Sequence, residues 1–293
     1  MQYSISDLEQ LSGVHSHTIR IWEQRYNALI PHRTAGNTRY YDDQHLVRLL
    51  NIVSINQQGL KISQICKLSE EAIHELIEED IENTISPDQQ YEYYISSLLK
   101  HGMSYNEDKF SEVLSTCIDK FEMAVSYQYI IYPLLVRLGL MWRKESICAA
   151  QEHFLTNIIR RKIEVAIDAL PKPSSSNTWL LFLPEDEEHE MGLLYASYEL
   201  RKRGQKVIYL GPRVPFDSVS QVFEINRIDH MLIFMVQVKL VSTAQQYIDQ
   251  LSEKYPKVGL HIAGNQKLIE NLNLQDNVTW LTSIEHFDTY IQS

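Results

Sequence analysis

From Trp179 onward, strand-like apolar runs alternate with helical stretches: Trp179–Leu183, Lys206–Gly211, His230–Val238, Gly259–Ala263 and Val278–Ser283. Such alternation builds five βα units, and so a parallel, doubly wound sheet of the Rossmann-like α/β class. No GxGxxG or P-loop pattern accompanies it, which leaves dinucleotide and nucleoside-triphosphate readings without support. One loop stands out, after the first strand: Glu187-Glu188-His189-Glu190-Met191-Gly192. A turn there projects an imidazole from the carboxyl end of a parallel strand, where open α/β sheets bind ligands. His189 is therefore a candidate metal ligand, and Glu187 is placed to hold the ring's other nitrogen and fix its tautomer. The competing reading is a solvated acidic loop with an incidental histidine.

Upstream, residues 76–170 have few Gly or Pro and helical periodicity throughout, with helices expected over Gln89–His101, Asn106–Phe121, Met123–Arg143 and Ser146–Leu170. Short breaks between them suit a four-helix bundle. Pro171-Lys172-Pro173-Ser174-Ser175-Ser176 then reads as a linker, 171–176, ahead of the sheet domain at 177–293.

The first 75 residues read as short helices. Ser4–Leu11, a turn at Gly13 and Ser16–Tyr26 carry apolar Ile5, Leu8, Leu11, Val14, Ile19 and Trp22 at helical spacing, with Ser4 and Ser16 as N-caps. Two helices across a tight Gly turn lay a recognition helix in a major groove. After Pro31, the Gly36-Asn37 dipeptide between Arg33 and Arg39-Tyr40-Tyr41 signals a hairpin, and so a wing. Charge follows the same division. The chain has a net charge of −11, but residues 1–68 hold seven basic against five acidic groups, and the rest 20 against 33. That asymmetry allows a DNA-binding head on an acidic body.

With 44% hydrophobic and 22% charged residues the composition is globular. No apolar run approaches the roughly 20 residues of a spanning helix, and MQYSISDLEQ lacks signal-peptide features. A cytoplasmic protein with no membrane partner is expected. Cys66, Cys117 and Cys148 are too widely spaced for a disulfide framework or a zinc site.

On Thr18-Ile19-Arg20-Ile21-Trp22-Glu23-Gln24-Arg25-Tyr26, the Arg33–Tyr41 wing and the apolar helix Gln44–Gln57, residues 2–72 resemble the winged-helix DNA-binding domain of MerR-type transcription regulators. The resemblance implies double-stranded operator DNA as partner, with Ser16, His17, Thr18, Arg20 and Arg25 facing base edges and phosphates, and Arg33, Arg39 and Tyr40 gripping the backbone. Asn27 stands where related light-sensing regulators carry Gly.

A bundle followed by a doubly wound domain with Glu-x-His-x-x-Gly resembles the cobalamin-binding module. There the imidazole, here His189, replaces the cofactor's own base beneath cobalt, and the Gly, here Gly192, lets the corrin approach. Glu187 replaces the Asp of the enzyme version. Tyr209-Leu210-Gly211 and Val214-Pro215 match that family's second strand and turn. Trp142, followed after nine residues by Glu152-His153, matches the signature of adenosylcobalamin-dependent MerR-type photoreceptor repressors of the CarA/CarH type. The resemblance implies that Trp142 packs over the adenosyl group with Glu152 and His153 nearby. It also implies a homo-oligomer, dimer or tetramer, that binds DNA in the dark and comes apart in light.

Three positions depart from that pattern. Arg143 follows Trp142 where related photoreceptors have a His, and a guanidinium cannot ligate cobalt. Gln237 replaces a Ser or Thr after the third strand, and Ala263-Gly264 replaces Gly-Gly in the tail-binding region. These departures motivate an alternative, a MerR-type regulator whose C-terminal module has lost the cofactor and serves oligomerisation or protein partners. A cobalamin-dependent methyl transferase or mutase would need a substrate domain, for which no segment is left. No enzyme activity is expected.

Overall fold

Ser4 opens the first helix through a reciprocal cap. In α1 (Ile5–Ser12) the Asp7 N–H donates to Ser4 Oγ at 3.2 Å, and the Ser4 N–H donates back to Asp7 Oδ2 at 2.7 Å. Gly13, at φ 71°, ends the helix in the left-handed conformation. The cap expected at Ser16 is not formed. In α2 (Ser16–Tyr26) the N-cap position is His15, and the Ser16 hydroxyl donates to Glu9 on α1. Glu9 also lies 2.9 Å from His15 Nδ1, so these two side chains tie α2 to α1. Asn27 ends α2 at φ 51°, ψ 36°. Asparagine is one of the few residues other than Gly that enters this region routinely, which accounts for its standing at that position.

The computed structural model describes residues 2–34, 36–57, 60–68, 87–143, 147–237 and 239–292, and their side chains except at 43, 47, 54, 57, 89 and 141–143. The expected start of the bundle at 76 lies outside the described residues. The chain forms two compact units, Met1–Ile159 and Arg160–Ser293.

In the first unit the wing is the antiparallel pair β1 (His32–Arg33) and β2 (Arg39–Tyr40), with His32 opposite Tyr40 and Arg33 opposite Arg39. Helices α3 (Asp43–Gln57) and α4 (Ile62–Ile65) complete the head. Four longer helices follow: α5 (Pro87–Met103), α6 (Glu107–Ser126), α7 (Tyr132–Arg143), reached through a π-helical turn at Tyr127–Ile131, and α8 (Ala149–Asp168), whose residues from Arg160 onward belong to the second unit. Glu122 interrupts α6 at φ 62°, ψ 165°, between the two helices expected from sequence. Gly102 on α5 is needed for packing, since a Cβ there would stand 2.0 Å from Leu155 Cδ2 on α8. The helical run Glu107–Leu140 is long and apolar enough, by length and composition, to cross a membrane, which the reading of apolar runs missed. A core helix meets the same criterion, and Phe110, Leu114, Ile130, Ile131, Leu134 and Leu138 in this run are buried.

The second unit carries the sheet. Its strands are β3 (Thr178–Pro184), β4 (Lys206–Val214), β5 (His230–Met235), β6 (Gly259–Gly264) and β7 (Val278–Trp280), all parallel in the order β4-β3-β5-β6-β7. Intervening helices are α9 (Met191–Lys202), α10 (Phe216–Ile225), α11 (Val241–Lys254) and α12 (Gln266–Ile269), with α13 (Ile284–Tyr290) last. Both faces are covered. Leu180 and Phe182 of β3 enter one apolar cluster with Ile233, Ile248 and Ile262, while Trp179, Leu181 and Leu183 enter another with Leu193, Leu200 and Phe287. Period-two alternation between two buried faces is why β3 reads as an unbroken apolar run. The first strand of the sheet lies between the second and third, so the switch point falls between β3 and β5. β5 stops at Met235 rather than Val238, because the next N–H groups leave the ladder for a side chain described below.

Candidate functional site

The loop after β3 is organised by one carboxylate. Glu187 is fully buried, and its Oε1 accepts the N–H groups of Glu188 at 3.0 Å and His189 at 3.1 Å. The same oxygen stands 2.6 Å from His189 Nδ1. Oε2 accepts the N–H groups of Val236 at 2.8 Å and Gln237 at 2.9 Å, just past β5. Glu187 therefore spans the switch point and joins the loops on either side of it. Burial pushes its carboxyl up, but the His189 imidazole and the N–H groups of Gln237, His189 and Val236 outweigh burial and hold it at about 2. An ionised carboxylate at Nδ1 keeps a proton on that nitrogen, which makes Nε2 the basic atom of the neutral ring. The His189 side chain is 56% exposed.

The rest of the loop is equally tied. Asp186 accepts from Lys239 Nζ at 2.8 Å, Glu188 pairs with Arg213 at the end of β4, and buried Glu190 pairs with Arg160 on α8. Four of the five carboxylates in residues 185–190 thus have defined partners, which argues against a merely solvated acidic loop. Sequence reasoning did not find Arg160, Arg213 or Lys239. Their only signal was isolated positive charge in an acidic body, and the partners are 25 to 53 residues apart in the chain.

The two glycines at the site have packing reasons of their own. A Cβ on Gly192 would stand 2.5 Å from Phe234 Cε1 on β5, so the residue lets α9 approach the sheet. Gly264, at φ 127°, leaves no room for a Cβ, which would lie 2.3 Å from the Met235 carbonyl oxygen. Ala263 is nearly buried in the apolar cluster with Leu193 and Leu232, and Gln237 is half-buried.

In the first unit, Glu152 closes the first turn of α8, His153 follows it, and the two side chains pair at 3.1 Å. Trp142 and Arg143 close α7, and their side chains lie outside the described residues. On α2, His17, Arg20 and Gln24 recur at helical spacing on the exposed face, opposite buried Ile19 and Glu23. Arg25 and Arg33 are exposed, whereas Thr18, Arg39 and Tyr40 are half-buried. Ser16 is spent on Glu9. Glu23 joins helix to wing: it accepts from buried Tyr41 Oη at 2.6 Å and lies 3.6 Å from Arg39 Nε.

Residues 3–72 match the family model described as MerR HTH family regulatory protein, and residues 94–167 match that described as B12 binding domain. The chain is 28% identical over 257 residues, 87% of its length and 86% of the relative's, to the HTH-type transcriptional repressor CarH of Myxococcus xanthus. To the repressor CarA of the same organism it is 25% identical, over 73% of this chain and 70% of CarA. The chain joins a MerR HTH domain to a B12-binding domain and is homologous to CarH and CarA. Among solved structures, the monomethylamine corrinoid protein of Methanosarcina barkeri aligns with a TM-score of 0.55 at 14% identity, covering 67% of this chain and 96% of that one. That likeness is one of fold, and it matches the Rossmann-like sheet with its helical region. In this CarH homologue the helical region was recognised in sequence by three residues, Trp142, Glu152 and His153, whereas the B12 family model covers it from Tyr94 to Ile167.

Proposed function

We propose that the chain is a cytoplasmic, light-responsive transcriptional repressor that binds operator DNA as an oligomer in its adenosylcobalamin dark state. The observation that carries this reading is the buried Glu187, which holds His189 through Nδ1 at the switch point and so makes Nε2 the donor a metal would take. A neutral imidazole with its other nitrogen on a carboxylate is a suitable axial donor for cobalt, so the residues fit the cofactor. When bound, the adenosylated corrinoid supplies a cobalt–carbon bond that visible light breaks.

The residues divide the work by domain: a winged-helix head over 1–75, a helical region over 76–170, a linker over 171–176 and the corrinoid-binding sheet over 177–293. His189 would hold the cobalt through Nε2, and Glu187 orients it and keeps the proton on Nδ1. Gln237 and Gly264 line the approach of the nucleotide tail, and Trp142, Glu152 and His153 are the helical region's contribution to cofactor recognition. In the head, His17, Thr18, Arg20 and Arg25 present α2 to the major groove, while Arg33, Arg39 and Tyr40 hold phosphates. Ser16 acts by holding α2 against α1 through Glu9.

The test is the visible spectrum of protein reconstituted with adenosylcobalamin in the dark and desalted, before and after green light, with operator binding measured on both samples. Retained absorbance that shifts on illumination, together with weaker operator binding, is expected. A colourless protein that still binds operator would establish the cofactor-free regulator instead.

A further inference from the structure

Three ligating side chains beside the wing are left idle by the reading above. His32 on β1, with Asp42 and His45 at the start of α3, brings an imidazole nitrogen, a carboxylate oxygen and a second imidazole nitrogen within 4.8 Å of one another. His32 Nε2 lies 2.9 Å from Asp42 Oδ2, and His45 Nδ1 lies 2.6 Å from Asp42 Oδ1.

The tautomer of His45 follows from its other contact. Its Nε2 is 2.7 Å from the Ile30 carbonyl oxygen, which has no proton to give, so Nε2 carries the hydrogen. In the neutral ring Nδ1 then bears a lone pair, and the Asp42 N–H donates toward it at 3.3 Å. A lone pair facing a carboxylate oxygen at 2.6 Å is repulsive unless positive charge sits between them. The His45 side chain is only 14% exposed, which limits the screening water supplies. A second proton on His45 or a divalent cation would each relieve the repulsion.

Two features favour the cation. A metal-bound histidine typically donates its distal N–H to a backbone carbonyl, as His45 does to Ile30. Asp42 is also oriented in advance, since Oδ1 accepts the His45 N–H at 3.1 Å, while His32 converges from another element as a third ligand. The geometry points to a site for one divalent ion of the zinc class, held by His32 Nε2, Asp42 and His45 Nδ1 with water in the fourth position. Opening the present 2.6–2.9 Å contacts to the roughly 3.3 Å donor spacing of a tetrahedral zinc site needs a shift of about half an ångström. His32, 48% exposed, is positioned to make that shift. The ion would staple β1 to α3, and with it the wing that carries Arg33.

The experiment titrates chelator-treated full-length protein with Co²⁺, followed by its d–d absorption, and then displaces the Co²⁺ with Zn²⁺ in competition with a chromophoric chelator. One equivalent should bind. His32→Gln and His45→Gln should each weaken it at least about tenfold, with His189→Ala binding like the unsubstituted chain. Zinc should raise the thermal midpoint of the unsubstituted protein and not that of His32→Gln, whose exposed side chain makes misfolding a poor explanation. No uptake, uptake unchanged in both wing variants, or uptake lost in His189→Ala would each overturn the assignment.

Discussion

Oε1 of Glu187 stands 2.6 Å from Nδ1 of His189, while Oε2 of the same carboxylate accepts two N–H groups from the loop after β5. Because the folded value, about 2, lies below the ordinary 4.5, this group stabilises the fold fully above pH 4.5 and loses that contribution as pH falls toward 2. The shift corresponds to about 3 kcal/mol. Glu187→Gln should lower stability near neutrality by about 2–3 kcal/mol and flatten the decline between pH 4.5 and 2, measured by urea denaturation across that range. An unchanged acid limb in the variant would contradict this account.

His189→Ala removes an exposed side chain, so the free energy of unfolding should change by less than about 1 kcal/mol. On the proposed reading, corrinoid retention after desalting should fall at least about tenfold, since the residue that would hold cobalt is gone. Absorbance of the desalted protein, with circular dichroism as the folding check, separates the two effects.

At Gly192 the structure expects a packing conflict. Gly192→Ala places a methyl 2.5 Å from Phe234 Cε1 and should destabilise the fold by about 1–3 kcal/mol. Combining it with Phe234→Leu should recover part of that loss in thermal denaturation. Additive losses in the double variant would show that Phe234 is not the obstacle.

In the head, the hydroxyl of Tyr41 and the Arg39 guanidinium both meet the buried carboxylate of Glu23. Tyr41→Phe should therefore lower stability by about 1.5–3 kcal/mol, whereas Tyr40→Phe, half-buried on β2, should stay within about 0.5 kcal/mol. Guanidinium denaturation of both variants makes the comparison, and equal effects would remove Glu23 from its role as the joint between α2 and wing.

The parts of this molecule legible in sequence are those governed by short-range pattern. Alternating apolar runs gave the five parallel strands, and helical spacing found the break near Glu122 in the long helical stretch. The pairing of Glu187 with His189 was readable because the two are neighbours. What escaped depends on contacts between distant segments: Arg213 and Lys239 on the loop carboxylates, Phe234 behind Gly192, and the shortened end of β5. Ser16 failed as a cap for the same reason, since Glu9 on the preceding helix takes its hydroxyl.

Among the described residues, Glu187 meets the loop after β5 through the main-chain N–H groups of Val236 and Gln237. Nineteen of the common amino acids offer that group and proline does not, so positions 236 and 237 are free to drift in side chain while the histidine keeps its orientation. On the proposed reading, Gln237 would set what a ligand's tail meets without disturbing the carboxylate that holds His189. Tail preference and metal ligation would thereby be separable, since a substitution at 237 other than Pro could change the first and leave the second in place.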